Sequence, residues 1–209
     1  MTDGKPNRES GQAPDSALLD WLGQGEVKLE FAGQRIVESR LPGLWIGASG
    51  IECAEFPQQA VTLLHASWDK PVPELAGEYP GTMNAVPLFA ELRAHALAWQ
   101  TRGDNEDFRE VLDLSRLPLT PLDRALLEQT LGQGPVTASV DCDGECRLLS
   151  TAVPGVWWVR YFDGEGRELL TSLEVGLVPD LARATQDDLA RSAAELEEYL
   201  RQSDARATA

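Results

Sequence analysis

The chain has 209 residues, enough for one medium domain or two small ones, and it can bury a core without the disulfides or metals that smaller folds need. Against 34 acidic residues stand only 18 basic ones, a formal charge of -16 that is the wrong sign for neutralising phosphates, so nucleic acid and anionic membrane surfaces are poor candidate partners. No run approaches the roughly 18 apolar residues of a membrane span, MTDGKPNRES has neither an apolar h-region nor a twin-Arg pair, and the three cysteines do not make a secreted disulfide framework, which together predict a cytoplasmic protein with no membrane insertion.

Residues 1–14 are polar and aperiodic and read as a disordered N-terminus. Ser16 caps a helix that LGQG ends, and a short strand follows over EVKLEF. A turn at Ala32-Gly33-Gln34 returns a strand toward Pro42-Gly43, and Trp45 opens a hairpin cut to WIGASGIEC. Residues 69–83, with Pro71, Pro73, Gly77, Pro80 and Gly81, read as a linker. The helix over 87–101 lines up Leu88, Phe89, Leu92, Ala96 and Trp99 on one side and either bridges the flanking units or serves the second. Thr120, Pro121 and Asp123 give a capped helix start with Pro at the first position, and Gly132 or Gly134 ends that helix. A strand over PVTASV, a turn within DCDGEC and a strand toward Pro154-Gly155 come next. VWWVRYF (156–162), the turn DGEG and RELLTSLEV (167–175) then make a hairpin. After Pro179, Thr185 and Asp188 cap a helix carrying Leu189, Ala193, Leu196 and Leu200 on one face, and 202–209 reads as a loose tail.

The second half restates the first. ALLDWLGQG (17–25) returns as ALLEQTLGQG (125–134), EVKLEF lies over PVTASV, RIVESRLPGLW (35–45) over RLLSTAVPGVW (147–157), and IECAEFP (51–57) over LEVGLVP (173–179). Copy two carries insertions of 1, 3 and 10 residues, all placeable at helix ends or turns. The predicted fold is therefore α+β: two tandem related units, 15–68 and 84–201, each a small antiparallel sheet flanked by helices, the first degenerate.

Catalytic templates fail. There is no GxSxG, P-loop, GxGxxG opening a helix or HExxH, and His65 and His95 have no ligand-spaced Cys or His beside them. No enzyme, cofactor or metal is expected. Cys142 and Cys146 lie in the turn segment that the three-residue insertion lengthens, so framework packing does not require them. They are an incidental pair, a redox-sensitive pair or a transient metal or cluster contact, and the neighbouring carboxylates Asp141, Asp143 and Glu145 blunt their nucleophilicity. With Asp143-Gly144 as a two-residue turn the thiols point to opposite faces; with a three-residue loop over 143–145 they face each other. Cys53 aligns with Val175 and reads as a small core residue. Along 156–162 alternation puts Trp157, Val159 and Tyr161 on one face and Val156, Trp158, Arg160 and Phe162 on the other. Either both faces are core, or Trp158, Arg160 and Phe162 form a partner-binding patch, since Trp45 repeats in place of Trp157 and marks the first face as framework.

The strings LSRLPLTPLDRALLEQTLGQG (114–134), VPGVWWVRYFD (153–163) and LEVGLVPDL (173–181) resemble the C-terminal conserved region of the HupH/HyaF family, and the first unit resembles it in degenerate form. The shorter length is more like the HupJ/HoxT type. The resemblance implies a cytoplasmic, non-catalytic accessory protein for maturing uptake nickel–iron hydrogenases. Its implied partners are the iron–sulfur small subunit or its precursor and, beside it, other accessory proteins. Pro154, Gly155, Trp157 and Trp158 match the family signature, and no catalytic residue is carried over. The alternative is a thiol-redox or metal-handling protein acting through Cys142 and Cys146.

Overall fold

Val27, Leu29 and Phe31 alternate with Lys28 and Glu30, which makes Val27–Phe31 a strand with one apolar face, β1. The turn at Ala32 (φ 48°) and Gly33 (φ 73°) has both central residues at positive φ, the geometry whose twist suits a two-residue hairpin, and it returns the chain as β2, Gln34–Glu38. The computed structural model describes residues 16–66, 68–102 and 109–207. Helix α1 (Ser16–Leu22) precedes β1, and β3 (Leu44–Gly47), β4 (Gly50–Cys53) and α2 (Gln58–His65) complete the first half. Then follow α3 (Ala85–Arg102), β5 (Glu110–Asp113), α4 (Pro121–Leu131), β6 (Val136–Cys142), β7 (Gly144–Ser150), β8 (Val156–Phe162) and β9 (Glu168–Val175). A 3₁₀ turn at Asp180–Ala182 leads into α5, Gln186–Ala207.

The strands form one nine-stranded antiparallel sheet in the order β4-β3-β2-β1-β6-β7-β8-β9-β5. Where two small sheets were expected, β1 and β6 pair edge to edge and join them. Val27 lies opposite Val140, Leu29 opposite Ala138 and Phe31 opposite Val136. In the alignment of EVKLEF over PVTASV, Leu29 and Ala138 are equivalent positions, so the seam is symmetric about that pair, as across a twofold axis.

Backbone hydrogen bonds recur at equivalent positions in the two halves. The Gly25 and Gly134 N–H groups donate to the Glu38 and Ser150 carbonyls, those of Arg40 and Ala152 to Leu22 and Leu131, and those of Ala54 and Gly176 to Gly43 and Gly155. The Ser39 and Thr151 hydroxyls donate to the Leu41 and Val153 carbonyls. Gly43 (φ 78°) and Gly155 (φ 69°) both take the left-handed conformation after proline that glycine adopts without strain.

Both sheet faces carry core. On the front, Val27, Leu29, Phe31, Trp45, Val136, Val140, Leu148, Trp157 and Val159 pack with Ala60 and Leu64 of α2 and with Val178 and Ala182. The back is covered at its two ends. Leu22, Leu41 and Leu44, with Trp21, Ile46 and Ile51 at their margin, meet Leu196 of α5 over β3 and β4. At the other end Val156, Trp158, Leu173 and Val175 lie under α3 and α4. The helix expected over 87–101 thus serves the second half, burying Leu88, Phe89, Leu92, Ala96 and Trp99.

Asp123 ties two helices together. As the third residue of α4 it completes a capping box with Thr120, and its Oδ1 also accepts the N–H groups of Met83, Asn84 and Ala85 at the start of α3, at 2.8, 3.0 and 2.9 Å.

Four expectations are corrected. Cys53 is exposed rather than core, because it ends the edge strand β4. The stretch from 202 continues α5 as far as Ala207 instead of forming a loose tail. Segment 69–83 is packed: Val72 is buried, and Arg93 and Gln100 of α3 donate to the Pro73 and Lys70 carbonyls. Helix α5, placed with the second unit, lies against the first: Ser192 Oγ donates to the Pro42 carbonyl at 2.8 Å and Tyr199 stacks on Trp21 at 4.0 Å. The expected disordered stretch 1–14 lies outside the described residues.

Candidate functional site: a polar trough across the sheet

Between its two helix-covered ends the back face stays open over β1, β2, β6 and β7. Here the alternate positions of each strand are polar, and Lys28, Glu30, Arg35, Thr137, Ser139, Glu145, Arg147 and Leu149 line a trough of about 330 Å³. Register aligns Lys28, Ser139, Arg147 and Arg160 on four adjacent strands. With strands about 4.8 Å apart, the three cations span roughly 14 Å.

Each cation rests on a carboxylate. Lys28 Nζ meets Asp141 at 2.6 Å, Arg147 meets Glu145 at 2.6 Å and Arg160 meets Glu128 of α4 at 2.7 Å. The three pairs are partly exposed and so worth little each, which leaves the cations free to exchange their acids for those of a partner. Arg160 also lies 5.0 Å over the Trp158 ring, and Arg147 lies 4.5 Å over Phe162. Arg160 Nε is buried with no hydrogen-bond partner among the described residues.

The expected patch of Trp158, Arg160 and Phe162 divides. Trp158 is only 6% exposed, sealed under α3 and α4, so it is core and not an open contact surface. Arg160 and Phe162 are half-buried at the far end of β8, where helix cover stops. Of the signature residues, Trp157 is buried on the front and donates from Nε1 to the Leu177 carbonyl at 3.0 Å. Gly155, after Pro154, makes room for Trp99: a Cβ there would lie 2.4 Å from the ring.

Neither expected cysteine register holds. Cys142 lies opposite Gly144 and Cys146 opposite Val140, so both point to the front face, offset diagonally. Cys142 is exposed and Cys146 fully buried. Burial pushes the Cys146 thiol up to about 12 despite its hydrogen bond with Tyr161, and the nearby Cys142, Glu174 and Glu145 push the same way. A thiol held protonated is a poor nucleophile and a poor metal ligand. Ellman's reagent should accordingly modify Cys53 and Cys142 at least ~100-fold faster than Cys146 in the folded chain; three fast thiols would show Cys146 to be accessible. Among the described residues no group of three or more His, Cys, Asp or Glu side chains is placed to hold a metal ion.

Comparison with known proteins decides the family. Residues 82–203 match the family described as "HupH hydrogenase expression protein, C-terminal conserved region". The chain is 37% identical over 195 residues to the hydrogenase expression/formation protein HoxQ of Azotobacter vinelandii, covering 87% of this chain and 67% of that one. The chain belongs to the HupH family. It is also 33% identical to the hydrogenase expression/formation protein HupH of Rhodobacter capsulatus, over 90% of this chain and 70% of the relative. A solved structure, the hydrogenase expression protein HupH from Thiobacillus denitrificans ATCC 25259, aligns at 36% identity and a TM-score of 0.48, over 58% of this chain and 96% of that one. The HupJ/HoxT likeness that chain length suggested is not shown by these relatives, which bear the HoxQ and HupH names. They are hydrogenase expression and formation proteins, so the family's role is accessory to hydrogenase maturation.

Proposed function

We propose that this chain is a cytoplasmic, non-catalytic assembly factor that binds the small subunit of an uptake nickel–iron hydrogenase, or its precursor, through the trough on the back of the sheet. Membership of the HupH family carries the reading. The trough supports it: an open polar floor and exchangeable ion pairs suit reversible protein contact. The acidic surface keeps such a factor soluble. No described helix is long and apolar enough to cross a membrane.

Within the same proposal, 15–68 and 84–201 are two copies of one unit that share a sheet. The matched hydrogen bonds and the symmetric β1–β6 register support this. The trough then lies across the pseudo-twofold axis.

Exchanging Arg147, Arg160 and Phe162 together for Ala should cut co-purification of the small subunit from a hydrogen-oxidising cell by about 10-fold or more, with the melting temperature changed by only a few degrees. Undiminished co-purification would remove the trough from the interface.

A further inference from the structure

Where IECAEFP (51–57) lies over LEVGLVP (173–179), β4 is the counterpart of β9, yet the two strands end up in different surroundings. In the second half β9 is not an edge: β5 pairs with it, Glu110 opposite Val175, Val111 opposite Glu174, Leu112 opposite Leu173 and Asp113 opposite Ser172. Those four positions of β9 correspond to Gly50–Cys53, the whole of β4. In the first half no strand takes the place of β5 among the described residues, and β4 ends the sheet. Burial differs accordingly. Leu173 and Val175 are 0% and 1% exposed, whereas Ile51 is half-buried and Cys53 is exposed.

The β3–β4 register decides which backbone groups face outward. The Ala54 N–H donates to the Gly43 carbonyl at 2.9 Å, so the even-numbered residues of β4 spend their groups on β3, and Ile51 and Cys53 turn theirs away from it. Helix α5 lies over the back face of β3 and β4 and donates nothing to these two residues among the described hydrogen bonds. One step further on, the Glu55 carbonyl accepts the Ala184 N–H, which bounds the open stretch. Neither proline nor lysine blunts it.

We infer that the free edge of β4 accepts a short extended segment of a partner protein, added antiparallel in the place that β5 holds in the second half, with an apolar residue opposite Ile51 and a basic residue opposite Glu52. The resident strand gives the pattern. Leu112, 8% exposed, seals Leu173 on the back face, and Arg109 just ahead of β5 draws down the carboxyl of Glu174, which burial pushes up. Glu52 repeats Glu174 without a β5 to bring it a cation, and its Oε1 is already taken by the Gln58 N–H at 2.9 Å. A second copy fits poorly: pairing two β4 edges with Ile51 opposite Cys53 would set the two Glu52 carboxylates opposite each other, between chains of charge -16 each. The edge is separated from the trough by β3, so this contact is independent of the trough and of the client that the trough binds.

Three measurements on the full chain test this without any hydrogenase. By amide hydrogen exchange, Ile51 and Cys53 should exchange at least ~100-fold faster than Leu173 and Val175; equal protection would mean that the edge is already covered and would overturn the inference. The binding probe is a fluorescein-labelled peptide of residues 110–115 carrying Val111→Lys, against the same peptide carrying Val111→Glu. The lysine peptide should bind saturably and at least ~3-fold more tightly than the glutamate peptide. Cys53→Pro, which removes one outward N–H and no bond to β3, should weaken that binding at least ~10-fold with the melting temperature changed by only a few degrees. Glu52→Gln keeps the oxygen that receives the Gln58 N–H and should erase the preference for lysine, which decides the matter should the proline variant fail to fold. No saturable binding, or binding indifferent to both substitutions, contradicts the edge. In sedimentation the chain should be a monomer, and a dimer that Cys53→Pro separates would give the edge to a second copy instead. None of these outcomes bears on the trough, and failure of small-subunit co-purification leaves the edge standing.

Discussion

Replacing Asp123 by Ala should lower the unfolding free energy by about 4 kcal/mol, among the largest effects of any single substitution in this chain. The carboxylate is fully buried, and one oxygen accepts three successive N–H groups at the start of α3 while the other accepts the Thr120 N–H at 2.8 Å and the Thr120 hydroxyl at 2.8 Å. Truncation leaves those donors without their acceptor and uncaps α3 and α4 together. Burial alone would raise the Asp123 pKa, but the N–H groups of Ala85 and Thr120, the Thr120 hydroxyl and the Met83 N–H overcome it and hold the carboxyl well below the usual carboxylate range. A depressed folded-state pKa contributes stability that is complete above the unfolded value near 4 and falls as pH drops below it. Denaturant midpoints of the wild type should therefore fall from about pH 5 downward and keep falling below pH 3, and Asp123→Asn should flatten much of that fall. Parallel curves for the two proteins would show that this carboxylate is not held ionised by the fold.

Gly155→Ala should cost about 3–5 kcal/mol, because two penalties coincide. The residue sits at φ 69°, and its Cβ would lie 2.4 Å from two carbons of the Trp99 ring, which is 2% exposed and wedged beside Trp68 at 4.3 Å between ring centroids. A rigid buried ring cannot give way, so α3 must shift. Gly43→Ala carries the same backbone strain, but the nearest atom to its Cβ, at 2.2 Å, is the end of the flexible Leu189 side chain, with the Ala184 Cβ and the Ala54 carbonyl oxygen further off at 3.0 and 3.1 Å, so a smaller loss of about 2–3 kcal/mol is expected. Gly33→Ala, with nothing within 4 Å, should cost only about 1 kcal/mol. Thermal melts of the three variants give the ranking, and a Gly155→Ala protein as stable as Gly33→Ala would contradict the packing of α3 on that turn.

Much of the local structure was legible because each signal acts within a few residues. The Thr120-Pro121-Asp123 start, the Ala32-Gly33 turn and the Leu88-to-Trp99 stripe fold as their spacing predicts. What sequence left hidden lies between elements. Alternation put Trp158 and Arg160 on one face of β8 but could not say that α3 and α4 cover the first and leave the second at the margin. Lys28 and Arg147 look like ordinary polar positions of separate strands until the β1–β6 and β6–β7 registers place them on one row with Ser139. The stripe of α5 announced an amphipathic helix without saying that it crosses to the first half. For the cysteines, the hairpin centred on Asp143 was a register that neither expected turn allowed. The polar positions shared by paired strands were the one signal that could have exposed the trough, since alternation there leaves the back side of β1 and β6 without large apolar residues.

The most direct test is affinity purification of the tagged, unaltered chain from a hydrogen-oxidising cell while it assembles its hydrogenase, with mass spectrometry of what is retained. Enrichment of the small subunit or its precursor by about 10-fold or more over an untagged control is the predicted result. Recovery of the chain with no hydrogenase subunit enriched beside it would contradict a role in binding that client.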